Sequence, residues 1–220
     1  MPNWCSSAIY FYSKDEAAIR GFKDKLIEIY NAGATVENGF GNGWLGDYVN
    51  TLLGPEYHTD TDNNPRCRGS LEFYDELPLD KRDGNWCFHI HTETAWGPMT
   101  EMWQLILEKH YPQISIAFSA EECGMAVYIK HDPNSLFFDT DNFYIEYEMH
   151  NDYESDYYDT LDGVINRILE ITELGLSKEQ FLGKNAEEVA EIADKAAKLL
   201  NEDNWFSVHE FEEVELDEAE

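Results

Sequence analysis

No apolar run in this chain approaches the ~20 residues that a membrane-spanning helix requires. The opening residues, Met1-Pro2-Asn3-Trp4-Cys5, lack the basic stretch and apolar core of a secretory leader. The expected location is therefore the cytoplasm, with no membrane association. Cysteine is scarce: Cys5, Cys67, Cys87 and Cys123 are scattered and form no Cys-x-x-Cys pair. That excludes a disulfide scaffold and leaves reduced, mostly buried thiols as the expectation. Basic residues are the most conspicuous shortage. Lys and Arg number 15 against 45 Asp and Glu, for a formal charge of −30. Such a field repels the phosphates of nucleic acid and anionic lipid surfaces, so direct binding to either is not expected. Gly-x-Ser-x-Gly, His-Glu-x-x-His and a phosphate-binding lysine loop are all absent. These absences favour a protein that is not an enzyme and carries no cofactor.

What is present is enough to fold. The hydrophobic share of 43% and aromatic share of 14% supply the apolar surface that offsets chain entropy. Residues 3–12 alternate as a strand. Ser13 with Glu16 reads as a capping box, opening a helix with Ile19, Phe22, Leu26 and Ile29 on one face and Gly33 as its stop. Residues 34–70 are rich in Gly, Asn, Asp and Pro and read as a long inserted loop, with a short helical piece near Asp47–Leu53. Strands are expected at Ser70–Tyr74 and Asn85–Thr94, across a turn-rich stretch from Pro78 to Gly84. Pro98 is placed at the first position of a helix reaching His110, with Met102, Trp103, Ile106 and Leu107 as its stripe. Two further strands alternate around Ile114–Phe118 and Met125–Ile129. This order is that of an α+β split βαβ sandwich with an antiparallel sheet and one additional strand.

From His131 the composition changes. Residues 1–110 hold 17 acids and 9 bases, net −8, and residues 111–220 hold 28 and 6, net −22. A strand is expected at Phe143–Met149, then an acidic, tyrosine-rich connection at Asp152–Asp159, then helices carrying Val164, Ile168, Val189 and Ile192. Trp205–Leu216 is compatible with a short strand. The expected organisation is a first domain over 1–130 and an acidic α/β extension over 131–220 packed on it, mostly one strand followed by helices.

Several segments in combination carry a family resemblance. They are Met1-Pro2-Asn3-Trp4-Cys5, Thr94-Ala95-Trp96-Gly97-Pro98, Tyr111-Pro112 and Glu122-Cys123-Gly124-Met125. Over about residues 1–130 the chain resembles the YubB-like ferredoxin-fold family of phage, plasmid and mobile-element proteins. The middle departs from the family pattern: Gly43-Trp44-Leu45-Gly46 stands where a tryptophan-rich element is expected. The resemblance implies a ferredoxin-like sandwich and an origin in mobile DNA. It implies no catalytic residue and no iron–sulfur cluster.

Four sets of residues are candidates for chemistry. Gly41-x-Gly43-x-x-Gly46 matches a dinucleotide fingerprint but lacks the strand before it and reads as a flexible loop. Asp60-x-Asp62-x-Asn64 begins like a calcium loop, but Pro65 and Leu71 stand where Gly and Glu are needed. His89, His91 and Glu93 share one face of a strand, with Cys87 beside them, and are candidate metal ligands if a further ligand comes from elsewhere. Tyr144, Tyr153, Tyr157 and Tyr158 are interleaved with Asp139, Asp141, Glu146, Glu148, Asp152, Glu154, Asp156 and Asp159. Rigid rings beside carboxylates suit a surface that receives Lys and Arg side chains. The sequence-level expectation is a non-enzymatic acidic binding protein, with a DNA mimic as one form of it, that occupies a basic host protein of defence or DNA processing. The alternative is a small-molecule- or metal-binding ferredoxin-like domain, enzymatic or not. A structural component of a mobile element is a third.

Overall fold

The computed structural model describes residues 3–33, 40–54, 57, 68–72 and 77–216. The chain divides into two compact units, Met1–Phe137 with Glu215–Glu220, and Phe138–Val214. Both are mixed α+β units built on antiparallel sheets.

In the first unit the elements run β1 (Trp4–Ser13), α1 (Glu16–Ala32), α2 (Leu45–Leu52), β2 (Gly69–Glu72), β3 (Asp80–Arg82), β4 (Asn85–Ala95), α3 (Thr100–His110), β5 (Ser115–Glu122) and β6 (Val127–His131). The sheet order is β6-β5-β1-β4-β2, with β3 also pairing β4. Alternation along each strand sorts the side chains onto two faces. Ile9 and Phe11 of β1, Phe88 and Ile90 of β4, and Ile116 and Phe118 of β5 are buried on one face with Ile19, Phe22 and Leu26 of α1. At its centre the Phe11 ring meets Phe22 edge-on at 5.0 Å, Phe88 at 5.3 Å and Trp103 of α3 at 5.4 Å. A ring of this size, fully removed from water, contributes roughly 1.5–3 kcal/mol of transfer free energy.

Three local expectations are corrected. The cap of α1 is Asp15, whose Oδ1 accepts the N–H groups of Ala17 and Ala18. Ser13 is the last residue of β1; its hydroxyl donates to the Gln113 carbonyl and its oxygen accepts the N–H of Asp15, which precedes the helix. Pro98 lies outside α3, which starts at Thr100 after Met99 in a left-handed conformation. Trp96 is left-handed as well (φ 66°), and its N–H donates to the Asn3 carbonyl, so the chain turns twice before helix geometry is available. The Pro78–Gly84 connection contains β3, which folds back on β4 through Asp83 and Gly84, both at positive φ. Of the long loop expected over 34–70, α2 and a turn of 3-10 helix at Gly41–Gly43 are described.

The second unit contains β7 (Phe143–Met149), β8 (Asp152–Tyr158), α4 (Leu161–Glu170), α5 (Ala186–Leu200) and β9 (Trp205–Glu210). Its sheet order is β8-β7-β9. The residues expected as a connection, Asp152–Asp159, thus form a strand for most of their length. His150 and Asn151, both at positive φ, make the tight turn that returns β8 along β7. As an edge strand β8 can carry polar residues on both sides, which hides it from a search for alternating apolar residues. Ile145, Tyr147 and Met149 of β7 and Phe206 and Val208 of β9 pack on Val164, Ile168 and Val189 of the helices. Tyr147 and Phe206 stack at 4.4 Å. Asn185 and Glu188 form a reciprocal capping box on α5. Buried Asn204 accepts the His150 N–H and donates to the Ala197 carbonyl, tying the hairpin turn to the end of α5. No helix among the described residues is long and apolar enough to cross a membrane.

Candidate functional site

The acidic and aromatic residues of the second unit are distributed by strand alternation. Their registers put Tyr157, Tyr144 and His209 in one cross-strand row, Ser155, Glu146 and Ser207 in the next, and Tyr153, Glu148 and Trp205 in a third. All nine lie on the sheet face opposite α4 and α5, since the apolar partners of both helices alternate with them. Tyr144 lies 5.0 Å from the Tyr157 ring and 6.3 Å from the His209 ring, and Tyr153 lies 6.2 Å from Trp205.

Glu146 is the centre of this face. Its Oε2 accepts the Tyr153 hydroxyl at 3.0 Å, and its Oε1 lies 3.5 Å from His209 Nε2. The Tyr144 and Tyr153 hydroxyls are 3.2 Å apart. Glu148 Oε2 accepts the Trp205 indole N–H at 3.4 Å. Burial pushes the Tyr144 phenol far up, so that it stays protonated, and pulls the His209 imidazole down despite the Glu146 carboxylate. Ser207 Oγ lies 2.6 Å from the same His209 Nε2. Serine, histidine and carboxylate therefore meet here, but at one ring nitrogen. A catalytic relay needs the nucleophile at one nitrogen and the carboxylate at the other. The arrangement is a hydrogen-bond network with two exposed rings, Tyr153 at 52% and Tyr157 at 42%.

Of the twelve residues singled out in the sequence, five stand on this face: Tyr144, Glu146, Glu148, Tyr153 and Tyr157. Asp152, Glu154, Asp156 and Tyr158 point to the helix side of β8. There Tyr147 donates its hydroxyl to Glu154, and Arg167 of α4 bridges Glu154 and Glu170. The Tyr147 hydroxyl and then Arg167 hold the Glu154 carboxyl below its usual range, while burial first, then the bond to Glu154, pushes Tyr147 up to about 12. Asp139, Asp141 and Asp159 lie in the loops at one end of the sheet, where the Asn142 amide donates to the Asp139 and Asp159 carbonyls. Trp205, Ser207, His209 and Arg167 escaped the sequence reading. The first three alternate along β9 and were legible once that strand was taken at face value. Arg167 carries no signal, because its contact with Glu154 spans two elements.

In the first unit, His89, His91 and Glu93 share a face as expected, with the two imidazoles 5.4 Å apart edge to face. Burial, and next the neighbouring His91, lowers the pKa of His89, which favours the neutral ring. Among the described residues, however, no group of three His, Cys, Asp or Glu is placed to hold a metal ion. Instead the Tyr10 ring packs beside His89 at 5.0 Å, with Phe137 stacked on it at 4.4 Å and Arg82 at 4.9 Å. Gly43 and Gly46 of the 41–46 loop serve packing, while Gly41 takes a positive φ of 68°. A side chain at Gly43 would meet the Leu71 carbonyl at 2.3 Å, and one at Gly46 the Trp44 ring at 2.3 Å. Their close approach is to the protein's own atoms, which accounts for them without a phosphate. The calcium-like Asp60–Asn64 stretch and Cys67 fall outside the described residues. Cys5 and Cys87 are buried, and burial pushes the Cys5 thiol up to about 11, which makes it unreactive.

Compared with family models, with curated proteins and with solved structures, the chain finds no match in any of the three.

Proposed function

We propose that this protein is a non-enzymatic acidic binding protein whose partner is a basic protein, received on the second unit. The observation that carries this reading is the sheet face of that unit opposite its helices, on which the Tyr153 and Tyr157 rings are exposed. Carboxylates Glu146 and Glu148 are set among the Tyr144, Tyr153, Tyr157 and Trp205 rings on a rigid sheet. Lys and Arg side chains gain from carboxylates by charge and from rings by cation–π contact. The rings also bring contact area at small entropic cost.

The first unit fits a ferredoxin-like sandwich, the fold implied by the resemblance to YubB-like proteins. Its central order β5-β1-β4-β2, with α1 and α3 following β1 and β4, supports that assignment. An origin in a phage or other mobile element follows from the same resemblance. In that setting the natural target is a host protein that binds DNA, with carboxylates standing in for phosphates. On β8, Asp152, Glu154 and Asp156 recur every second residue, about 6.6 Å apart along the strand, which makes a regular row of negative charge. The test is affinity purification from the native host, followed by titration of the captured partner with salt and with duplex DNA. Binding should weaken steeply with salt, and DNA should compete. A partner held undiminished at high salt would sink the mimicry reading.

A further inference from the structure

β8 is the outer strand of its sheet: it pairs with β7 on one side, and on the other no strand of the described residues lies against it. Six of its seven residues are exposed. An edge of this kind offers a row of backbone donors and acceptors to any extended chain of suitable composition. Beside it lies a groove of about 510 Å³, lined from β8 by Tyr153, Glu154, Ser155 and Asp156 and from α4 by Arg167 and Glu170. The edge and the groove follow the same strand.

We infer that β8 receives an extended, lysine- or arginine-rich segment of the partner by strand addition. This rests on the basic-partner reading and specifies how such a partner is held. Backbone hydrogen bonds along β8 supply the common part of the affinity, and alternate side chains supply the choice of partner. On the helix side the added strand meets Asp152, Glu154 and Asp156, with Glu170 across the groove. The groove-lining Glu154, Asp156 and Glu170 outnumber Arg167, which is already engaged by Glu154 and Glu170. On the other side it meets the Tyr153 and Tyr157 rings. A strand with basic residues at every second position matches this pattern.

The same pattern disfavours other occupants. A second copy of this chain, pairing β8 to β8 in antiparallel fashion, sets carboxylates opposite carboxylates on the helix side, which is destabilising. An acidic segment is repelled likewise. Asp156 accepts the N–H of Tyr157, next to it on the strand, a contact that blunts the edge towards uncharged chains. A basic strand recovers that cost by pairing with the released carboxylate.

The probe is a peptide of alternating lysine and threonine of about seven residues, the length of β8, added to the whole protein at low salt. A control peptide carries the same side chains with alternate backbone nitrogens methylated, which keeps the charge and removes the ladder donors. Strand addition predicts that the control binds at least about tenfold more weakly. It also predicts slowed amide exchange along Asp152–Tyr158 with the parent peptide. Ser155→Pro, which deletes a backbone donor, should reduce parent binding, and the exchange measurement on the unaltered protein covers the case in which that variant misfolds. Equal binding of both peptides overturns strand addition while leaving the basic-partner reading in place. Failure of both peptides to bind at low salt overturns both readings.

Discussion

The two units solve the same packing problem with different chemistry. Each has an antiparallel sheet with helices on one face. In the first unit the other face carries Tyr10, Tyr12, His89 and His91, with Phe137 and Arg82 laid over Tyr10. In the second it carries Glu146 and Glu148 among tyrosines and a tryptophan. The first unit holds 24 acids and 10 bases over 143 residues, and the second 21 and 5 over 77. The net charges are nearly equal, −14 and −16, so the second unit is about twice as densely charged. Part of this density is self-neutralised on α5, where Lys195 and Lys198 pair with Glu191 and Asp194 one turn away. Such exposed pairs are worth only a few tenths of a kcal/mol each. The carboxylates in the sheet are different, because β-strand geometry holds them beside rings at fixed spacing. Charge in a helix flank is free to follow the solvent, whereas charge built into a sheet face is held at fixed positions.

The contrast can be tested where it is strongest. Phe11→Ala removes the ring at the centre of the first core and should cost about 3–5 kcal/mol in denaturant unfolding. A loss under about 1 kcal/mol would mean that this core is not what holds the first unit. In the second unit, Glu146→Gln combined with Glu148→Gln should leave unfolding nearly unchanged. Affinity for a basic partner should fall by about tenfold or more, and the salt dependence should flatten. If binding survives both changes intact, this sheet face is not the contact surface.

Acidification should weaken both units. The His89 and His209 imidazoles are pushed below the ordinary value of 6.5, chiefly by burial. The unfolded chain therefore takes up protons first as pH falls below that value, and stability declines from there through the folded-state values. His209→Gln should remove part of this decline, read as melting temperature against pH. Tyr48→Phe is the smaller test: the buried Tyr48 hydroxyl has no hydrogen-bond partner among the described residues, and deleting it should stabilise by about 1 kcal/mol. The smallest expected effect is that of Arg167→Leu. Glu154 should then titrate closer to a free glutamate, seen by NMR, with unfolding little affected.

Much of the first unit was legible in the sequence. β1, α1, β4, α3 and β5 announce themselves because their apolar residues recur at the period of the element and face one core. The errors sit where a tertiary contact overrides a local signal. Ser13 looks like a cap, but it is held in β1, bonded to the Gln113 carbonyl a hundred residues away, and the helix is capped two residues later by Asp15. Pro98 looks like a helix start until the turn at Trp96–Met99 delays it. In the second unit β8 was missed because an edge strand need not alternate apolar with polar. Its acidic, tyrosine-rich character was nevertheless plain.

The same division runs through the site. Composition alone determined that the chain is strongly acidic, that its second half is more so, and that tyrosines accompany the acids there. Those are properties of residue identity and need no fold. Which carboxylates act together was decided only by the tertiary structure. Period-2 alternation sends Glu146 and Glu148 to one face and Asp152, Glu154 and Asp156 to the other, and the pairing of β7 with β9 brings Trp205 and His209 beside them from some 60 residues along the chain. A contact made across strands depends on register, and register is set by the turn at His150–Asn151 and by the burial of one face, neither of which is carried by the acidic residues themselves.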